Sequence, residues 1–237
     1  MPNIDIQNLL ITILVLTFSL STHEYAHAAA AYHLGDNTAK DAGRLTLDPL
    51  AHLDPLGALA FLIARIGWAK PVPINPANFT KAKSPRIGTM LVSLAGPVSN
   101  LLISFVAAFC FHFTRVIFAW LVVSRGSDFT VNTKPFELLF NIFQSFYFAN
   151  IGLAIFNLLP IPPLDGSKVL APIIPEKALR WMAANQRYIS FAFLMLFYFG
   201  GNILGKIIST IAIPFNYILM LPWQTLADRI IESIAAV

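Results

Sequence analysis

The residues of this chain best suited to chemistry are His23, Glu24 and His27, which form an HExxH pattern in the sequence HEYAH. On an α-helix, residues four positions apart lie about 40° apart around the axis and one turn along it. Both imidazoles can therefore bind one metal ion, while the carboxylate between them can reach a water molecule beside it. This arrangement is typical of a zinc-dependent hydrolase in which the glutamate acts as the base.

The residues around the pattern distinguish this prediction from a simpler one. HExxH also arises by chance in soluble helices, and its three polar side chains then face water. Here residues 9–20 carry no charge, so the segment offers Glu24 no solvated face. Ionisable groups inside an apolar segment are costly unless a metal or a partner holds them, which favours the metal site.

The composition indicates a protein of the lipid bilayer. Of the 237 residues, 57% are hydrophobic and 12% are charged, and the mean hydropathy is +0.67. Soluble domains carry about 25% charged residues. The sparse basic residues, which give a net charge of +4, are interpreted as signals of membrane topology, and no nucleic-acid partner is expected. With Cys110 as the single cysteine, no internal disulfide is possible.

Four apolar segments are long enough to cross about 30 Å of hydrocarbon. They are residues 8–33, 87–123, 137–160 and 188–213. The predicted fold is an all-α multi-pass membrane protein with four or more spans. The apolar patch at 56–69 is predicted to be re-entrant or interfacial, and residues 223–237 to form an amphipathic helix on the surface. For 188–222, one kinked span and two shorter spans both remain open.

The distribution of basic residues predicts the orientation of the chain. With four spans, the loops 34–86 and 161–187 share one side and carry eleven of the sixteen Lys and Arg residues. Because basic loops stay in the cytoplasm, this side is predicted to be cytoplasmic and the N-terminus to lie outside. His23 then lies about 22 Å along the first helix, nearer the cytoplasmic face. Residues 1–237 are expected to form one membrane-embedded domain.

A catalytic zinc site needs a third protein ligand, and Asp165 is the best candidate. It ends the proline-rich sequence NLLPIPPLD at the end of the third span. Prolines break helices, and broken backbone at membrane depth is tolerated where it is buried or lines a cavity. The predicted topology also places Asp165 on the same side of the membrane as His27. An aspartate that only caps a following helix remains the alternative.

Several spaced motifs together resemble the site-2 proteases, the intramembrane zinc metalloproteases. HEYAH at 23–27 and NLLPIPPLDG at 157–166 are similar to the two signature motifs of that family, in the same order. LAGPVSN at 94–100 is similar to its GPxxN element. The loop sequences GRLTLDPLAHLDPLG and WAKPVPINPANF look like those of compact bacterial members. The resemblance covers most of residues 18–170.

The resemblance implies a zinc-dependent metalloendopeptidase with one Zn²⁺ per chain. It implies His23, His27 and Asp165 as the zinc ligands and Glu24 as the catalytic acid and base. Two features depart from larger members of the family: no PDZ-like or CBS-like domain is recognisable, and HExxH lies on the first span. The first departure leaves the choice of substrate open.

Two further polar residues are predicted to act near the centre. Asn100 is predicted to orient a substrate carbonyl or to stabilise the oxyanion, because an amide does so without adding a charge to the membrane. The alternative is an interhelical hydrogen bond. His52 is a candidate to support the metal ligands or to gate the site.

Residues 70–75, with the sequence KPVPIN, alternate in a way that fits an edge strand. A substrate helix hides its scissile carbonyl in hydrogen bonds and must be unwound before cleavage. Val72 and Ile74 would then hold the unwound backbone by β-addition. A rigid loop that lies on the headgroups is the alternative.

The predicted function is hydrolysis of peptide bonds in or beside the transmembrane segments of membrane proteins, in the inner membrane of a bacterial cell. The expected partners are therefore the lipid bilayer and a substrate with a transmembrane helix. A metal-ion transporter is one alternative, although transport has no need of Glu24 beside the ligands. The other is a catalytically silent protein that binds membrane helices.

Overall fold

The computed structural model describes residues 5–64, 69–125 and 132–236, and this part of the chain is built from helices. In chain order they are α1 Ile6–His33, α2 Thr38–Asp41, α3 Pro49–His52, α4 Pro55–Ala64, a 3₁₀ turn at Pro76–Asn78, α5 Pro85–Arg125, α6 Lys134–Asn157, α7 Asp165–Val169, α8 Glu176–Ala184, α9 Gln186–Phe199, α10 Gly201–Leu219 and α11 Leu221–Ala235. The all-α architecture predicted from the sequence is confirmed for these residues.

Three of these helices, α1, α5 and α6, are long and apolar enough to cross a membrane. They contain 28, 41 and 24 residues. At 1.5 Å per residue, even the shortest measures about 36 Å, which exceeds the roughly 30 Å of hydrocarbon. They correspond to the first three predicted spans, although α6 ends at Asn157, ahead of the predicted end. The protein is a multi-pass membrane protein.

The fourth predicted span, residues 188–213, is not one helix. The structure divides it at Gly200 into α9 and α10, because glycine costs a helix interior about 1 kcal/mol relative to alanine and favours a break. The 14 residues of α9 reach only about 21 Å, too short to cross alone. In the described residues, a fourth crossing is instead offered by a pair of helices, Leu204–Leu219 and Leu221–Ala235, bent by 48°.

The predicted amphipathic helix at 223–237 corresponds to α11, Leu221–Ala235, and its last residue lies outside the described part of the chain. This helix packs against α5, with Ala227 buried in the contact and Arg115 of α5 donating to Asp228 at 3.0 Å. It is therefore joined to the helix bundle through Ala227 and Asp228.

The three long helices pack through small and polar side chains. Ser19 of α1, Asn100 and Ser104 of α5 and Asn150 of α6 are all fully buried. Asn150 Nδ2 donates to Ser19 Oγ at 2.8 Å, and Ser104 Oγ donates to the Tyr147 carbonyl at 3.2 Å. In a bilayer, small residues allow close helix approach, and hydrogen bonds between helices then add to van der Waals packing. The core of the bundle is therefore partly polar.

The patch predicted to be re-entrant, residues 56–69, begins as α4 and continues into residues 65–68, which lie outside the described part of the chain. At its end, Ala69 forms an isolated antiparallel bridge with Leu53. Its placement relative to the membrane stays a prediction.

The edge strand predicted at 70–75 is not formed. That bridge is the nearest approach to β-structure in the described ranges, which contain no strand. Pro71 and Pro73 have no N–H to give a ladder. Two of the remaining donors bind carboxylates, since Val72 N donates to Glu24 Oε2 at 3.1 Å and Asn75 N donates to Asp36 Oδ2 at 2.7 Å. We call residues 70–75 the strap, because carboxylate side chains hold it at Val72 and at Asn75.

The buried carboxylate of Asp36 holds the far end of the strap. Besides Asn75 N, it accepts from Thr38 N at 3.1 Å, Thr38 Oγ1 at 2.5 Å and Asn78 Nδ2 at 2.9 Å. Burial raises the pKa of this carboxyl, but the hydrogen bonds outweigh burial and hold the pKa below its ordinary value of 3.8. The charged group of Asp36 therefore ties the segment after α1 to the strap at Asn75.

Replacing Asp36 with alanine is expected to lower the free energy of unfolding by about 3 kcal/mol, because four donor groups lose a charged acceptor. Since the folded pKa is lowered, this stabilisation is complete above the ordinary value of 3.8 and is lost as pH falls through the folded pKa. Thermal unfolding in detergent at neutral pH measures the change. The matched control is Asp41→Ala at an exposed position, and equal melting temperatures for both variants would contradict the role of Asp36.

Candidate metal centre

Three donor atoms converge between α1 and the start of α7. Nε2 of His23 and Nε2 of His27 lie 3.0 Å apart, and each lies 3.2 Å from Oδ2 of Asp165. The histidines are only 4% and 8% exposed. Nitrogen and carboxylate oxygen are ligand types that Zn²⁺ takes in catalytic sites with three protein ligands. In the described residues, this is the group of three or more candidate ligands that could hold one metal ion.

Local structure explains why these residues meet. His23 and His27 are one turn apart on α1, and their rings are nearly perpendicular, at 89°, with centroids 4.6 Å apart. Asp165 arrives from the other side because α6 ends at Asn157 and the following prolines prevent it from continuing. Asp165 is then the first residue of α7, and its Oδ2 contacts both imidazoles.

The outward nitrogens of both imidazoles bind to α5. His23 Nδ1–H donates to Asn100 Oδ1 at 2.6 Å, and His27 Nδ1–H donates to the Val92 carbonyl at 2.7 Å. Because Nδ1 carries the proton in each ring, the lone pair of each Nε2 faces the centre. Partners of this kind fix the tautomer and the orientation of metal-binding histidines.

Asn100 is itself held at its other end. Its Nδ2 donates to Asn150 Oδ1 at 2.7 Å, and Asn150 in turn donates to Ser19 and to the Phe146 carbonyl. A chain of hydrogen bonds therefore runs from His23 through α5 and α6 back to α1. The side chain of Asn100 is fully buried behind His23. The substrate-orienting role expected for it stays a prediction.

Gly96 of α5 leaves space beside the two imidazoles. A Cβ atom at this position would lie 2.5 Å from Nε2 of His27 and 2.6 Å from Nε2 of His23. Such distances are far below van der Waals contact, so a side chain here would collide with both imidazoles. A cradle bounded by two imidazoles, a carboxylate and a bare glycine fits a zinc ion.

Glu24 lies beside the three donor atoms and not among them. Its carboxylate is partly exposed, and Oε2 accepts from Val72 N at 3.1 Å. The residue that follows His23 on α1 is therefore bound to the strap through its carboxylate. The role of general base expected for Glu24 stays a prediction.

The remaining predicted residues lie around the strap. His52 is buried at 2% exposure and contacts Arg44 and the Thr46 carbonyl, at 3.2 and 2.8 Å, instead of the metal ligands. Ile74 packs against the buried cluster of Ala31, Phe79 and Val92. The Ile74 side chain therefore anchors the strap to this cluster by apolar packing.

Three supporting groups were missed by sequence reasoning: Val92, Asn150 and Arg44. The Val92 carbonyl acts through the backbone, which gives no signal in the sequence. Asn150 could have been found, since an amide in the middle of an apolar span calls for a partner. Arg44 gave no signal beyond a basic residue in a loop.

Comparison with known proteins agrees with this centre. A family model described as Peptidase family M50 matches residues 11–200. The chain is 39% identical over 185 residues to "Putative zinc metalloprotease YwhC" of Bacillus subtilis (strain 168), covering 78% of each protein. It is 31% identical over 187 residues to "Putative zinc metalloprotease Rip2" of Mycobacterium tuberculosis (strain ATCC 25618 / H37Rv), covering 76% of this chain. The match covers only 63% of the length of that second relative.

No solved structure shows a significant match to the chain. The assignment therefore depends on the family model, which covers far more than half of the sequence and includes every residue of the metal centre. The chain belongs to peptidase family M50, the family of the site-2 proteases.

Proposed function

We propose that His23, His27 and Asp165 hold the Zn²⁺ of an intramembrane zinc metalloprotease, and that Glu24 is its general base and acid. The observation that carries the assignment is the convergence of the three donor atoms within 3.2 Å, with the Glu24 carboxylate alongside. Membership of family M50 and the apolar spans support the class of enzyme, a zinc metalloendopeptidase of the membrane.

The chemistry divides between the metal and the chain. When bound, zinc lowers the pKa of a water molecule towards about 7 and polarises a carbonyl oxygen. Glu24 accepts the proton that the attacking water releases and delivers it to the nitrogen of the leaving peptide. Asn100 and the Val92 carbonyl keep both imidazoles turned towards the centre during these steps. Asn100 thereby has a positioning role.

The proposed substrates are membrane proteins that contain a transmembrane helix. A site carried on the membrane-spanning α1 meets such segments within the bilayer, where soluble polypeptides do not enter. Because a helix hides its carbonyls in hydrogen bonds, the segment must unwind locally before its peptide bond reaches the centre.

The proposed orientation places the N-terminus outside and the metal centre towards the cytoplasm of a bacterial cell. It is supported by the basic loops 34–86 and 161–187, which carry eleven of the sixteen Lys and Arg residues. His23 and His27 lie in the second half of α1, on the side of the first of these loops. Cysteine labelling from either side of sealed vesicles tests the orientation.

Removal and re-addition of zinc in a purified, reconstituted system test the function. Protein in liposomes with a single-span membrane substrate is expected to lose cleavage when a zinc chelator removes the metal, because Glu24 alone cannot activate water. Adding back stoichiometric zinc is expected to restore cleavage, measured by the appearance of the two substrate fragments.

The same vesicles discriminate the alternatives. Zinc accumulation inside them without substrate cleavage would indicate a transporter. Tight substrate capture that is indifferent to the chelator would indicate a silent binding protein. Either result would overturn the proposal, and buffer without protein is the control for spontaneous cleavage and leak.

A further inference from the structure

The loop after α1 contains a buried cation that the proposed mechanism does not use. Arg44 is only 6% exposed, and its Nε is buried without a hydrogen-bond partner. Within the described residues, its guanidinium contacts the Lys70 carbonyl at 2.5 Å, the Pro71 carbonyl at 3.4 Å and His52 at 3.2 Å. None of these partners is a carboxylate. Among the described residues this buried charge has no counter-ion, which is costly, so the position of Arg44 calls for an explanation.

The contacts of Arg44 place it at one side of a single peptide group. The Pro71 carbonyl and the Val72 N–H belong to the same peptide unit, which is planar and trans, so the oxygen and the hydrogen point in opposite directions. Arg44 donates to the oxygen, and the N–H donates to Glu24 Oε2 at 3.1 Å. One peptide group of the strap therefore stands between a buried cation and the general base.

Arg44 is itself fixed from behind by His52. The His52 Nε2–H donates to the Thr46 carbonyl at 2.8 Å, which leaves Nδ1 to accept from Nη2 of Arg44. His52 also binds the start of the strap through its backbone, since its carbonyl accepts from Lys70 N at 2.8 Å. At the other end, Asp36 holds Asn75. The strap is therefore fastened on both sides of Val72.

We propose that Arg44 is a positioning residue for Glu24, acting through the Pro71–Val72 peptide group, with His52 holding Arg44 in place. The inference rests on the proposed role of Glu24. A cation at the oxygen of a peptide group polarises it and strengthens its N–H as a donor. The N–H then keeps the Glu24 carboxylate in one orientation beside the metal ligands. Arg44 acts through the peptide group and adds no positive charge next to the carboxylate.

A spectroscopic measurement reports on this contact without relying on activity. The sequence Pro-Val occurs only twice in the chain, at Pro71-Val72 and Pro97-Val98. Labelling proline carbonyl carbon with ¹³C and valine nitrogen with ¹⁵N therefore selects two amide signals in the NMR spectrum. The Val98 signal, from the interior of α5, is the internal control for folding.

In this experiment Arg44→Gln and Glu24→Gln are each expected to shift the Val72 amide proton upfield, because each weakens its hydrogen bond. The Val98 signal stays in place. Arg44→Lys keeps the buried charge but has no planar fork, so a smaller shift is expected. The matched control is Arg180→Gln, an exposed arginine of α8, which is expected to shift neither signal.

Kinetics on the single-span substrate complete the test. Because a small misplacement of a catalytic group costs up to about 100-fold, Arg44→Gln is expected to lower kcat about 10- to 100-fold. KM and bound zinc stay unchanged, and Arg44→Lys recovers part of the loss. A general loss of packing would instead move zinc content and the Val98 signal.

The two proposals fail separately. A Val72 amide shift that is unchanged in Arg44→Gln, or an unchanged kcat in that variant, would overturn the role of Arg44. Cleavage by the wild type would still support the proposed function. A wild-type protein that holds zinc but does not cleave would overturn the proposed function, whatever the Val72 signal does. Should Arg44→Gln lose its fold, Arg44→Lys carries the same readouts: no loss of kcat and no shift would contradict the inference.

Discussion

Replacing Glu24 with glutamine abolishes proteolysis and leaves zinc bound: this is the expected result with the largest effect. Glutamine has nearly the same shape as glutamate but cannot accept the proton of the attacking water. Its amide oxygen can still accept from Val72 N, so the strap contact of 3.1 Å has an acceptor in the variant. Removing a general base typically costs about 10²- to 10⁴-fold in rate, and we expect the upper end here.

Two measurements on one purified sample check this expectation. Zinc content by elemental analysis should equal that of the wild type, and single-turnover cleavage of the membrane substrate should fall below detection. Glu232→Gln, an exposed glutamate of α11, is the matched control and should cleave normally. Glu24→Gln protein that cleaves at the wild-type rate would remove Glu24 from the mechanism.

The second large effect is expected from one added methyl group, in Gly96→Ala. The new Cβ would lie only 2.5 and 2.6 Å from the two Nε2 atoms, well inside van der Waals contact, so both ligand rings would have to move. The imidazoles cannot retreat easily, because Asn100 and the Val92 carbonyl hold their far sides. We therefore expect loss of zinc and, with it, loss of cleavage, although alanine is the better helix former.

Gly152→Ala in α6 is the natural comparison, because a Cβ there would meet no other atom within 4 Å. That variant should keep its zinc and its activity. The readouts are zinc stoichiometry after dialysis against a buffered zinc concentration, and helix content by circular dichroism. Full zinc occupancy in Gly96→Ala would mean that the ion is held elsewhere than between His23 and His27.

The centre was largely predictable from the sequence because its residues obey local rules. HExxH fixes the geometry of His23 and His27 once the segment is helical, and the apolar surroundings decide that it is. Asp165 was predictable from the need for a third ligand and from the prolines that end α6 just before it. For the two histidines, spacing along the chain determines position in space, whereas Asp165, 138 positions beyond His27, was inferred from the ligand that the site still needed.

The supporting contacts were not predictable, because they join segments far apart in the sequence. The bond between Asn100 and Asn150 spans 50 positions, and that between Glu24 and Val72 spans 48. For residues 70–75, alternation favoured a strand, but the carboxylates of Glu24 and Asp36 bind the N–H groups of Val72 and Asn75 that a sheet would use. Tertiary contacts overrode the local pattern. At Gly200 a local preference prevailed instead. Hydropathy alone predicted one span at 188–213, but the glycine divides this segment into α9 and α10.

The hydrogen bonds from both imidazoles to α5 have a thermodynamic consequence. One helix supplies both ligand rings and its neighbour supplies both acceptors, so packing α1 against α5 immobilises the rings and selects their tautomers in one event. The conformational entropy of ordering the ligands is then lost when the bundle assembles, before any metal arrives. More of the coordination energy is left to appear as affinity, in the manner of a preorganised host.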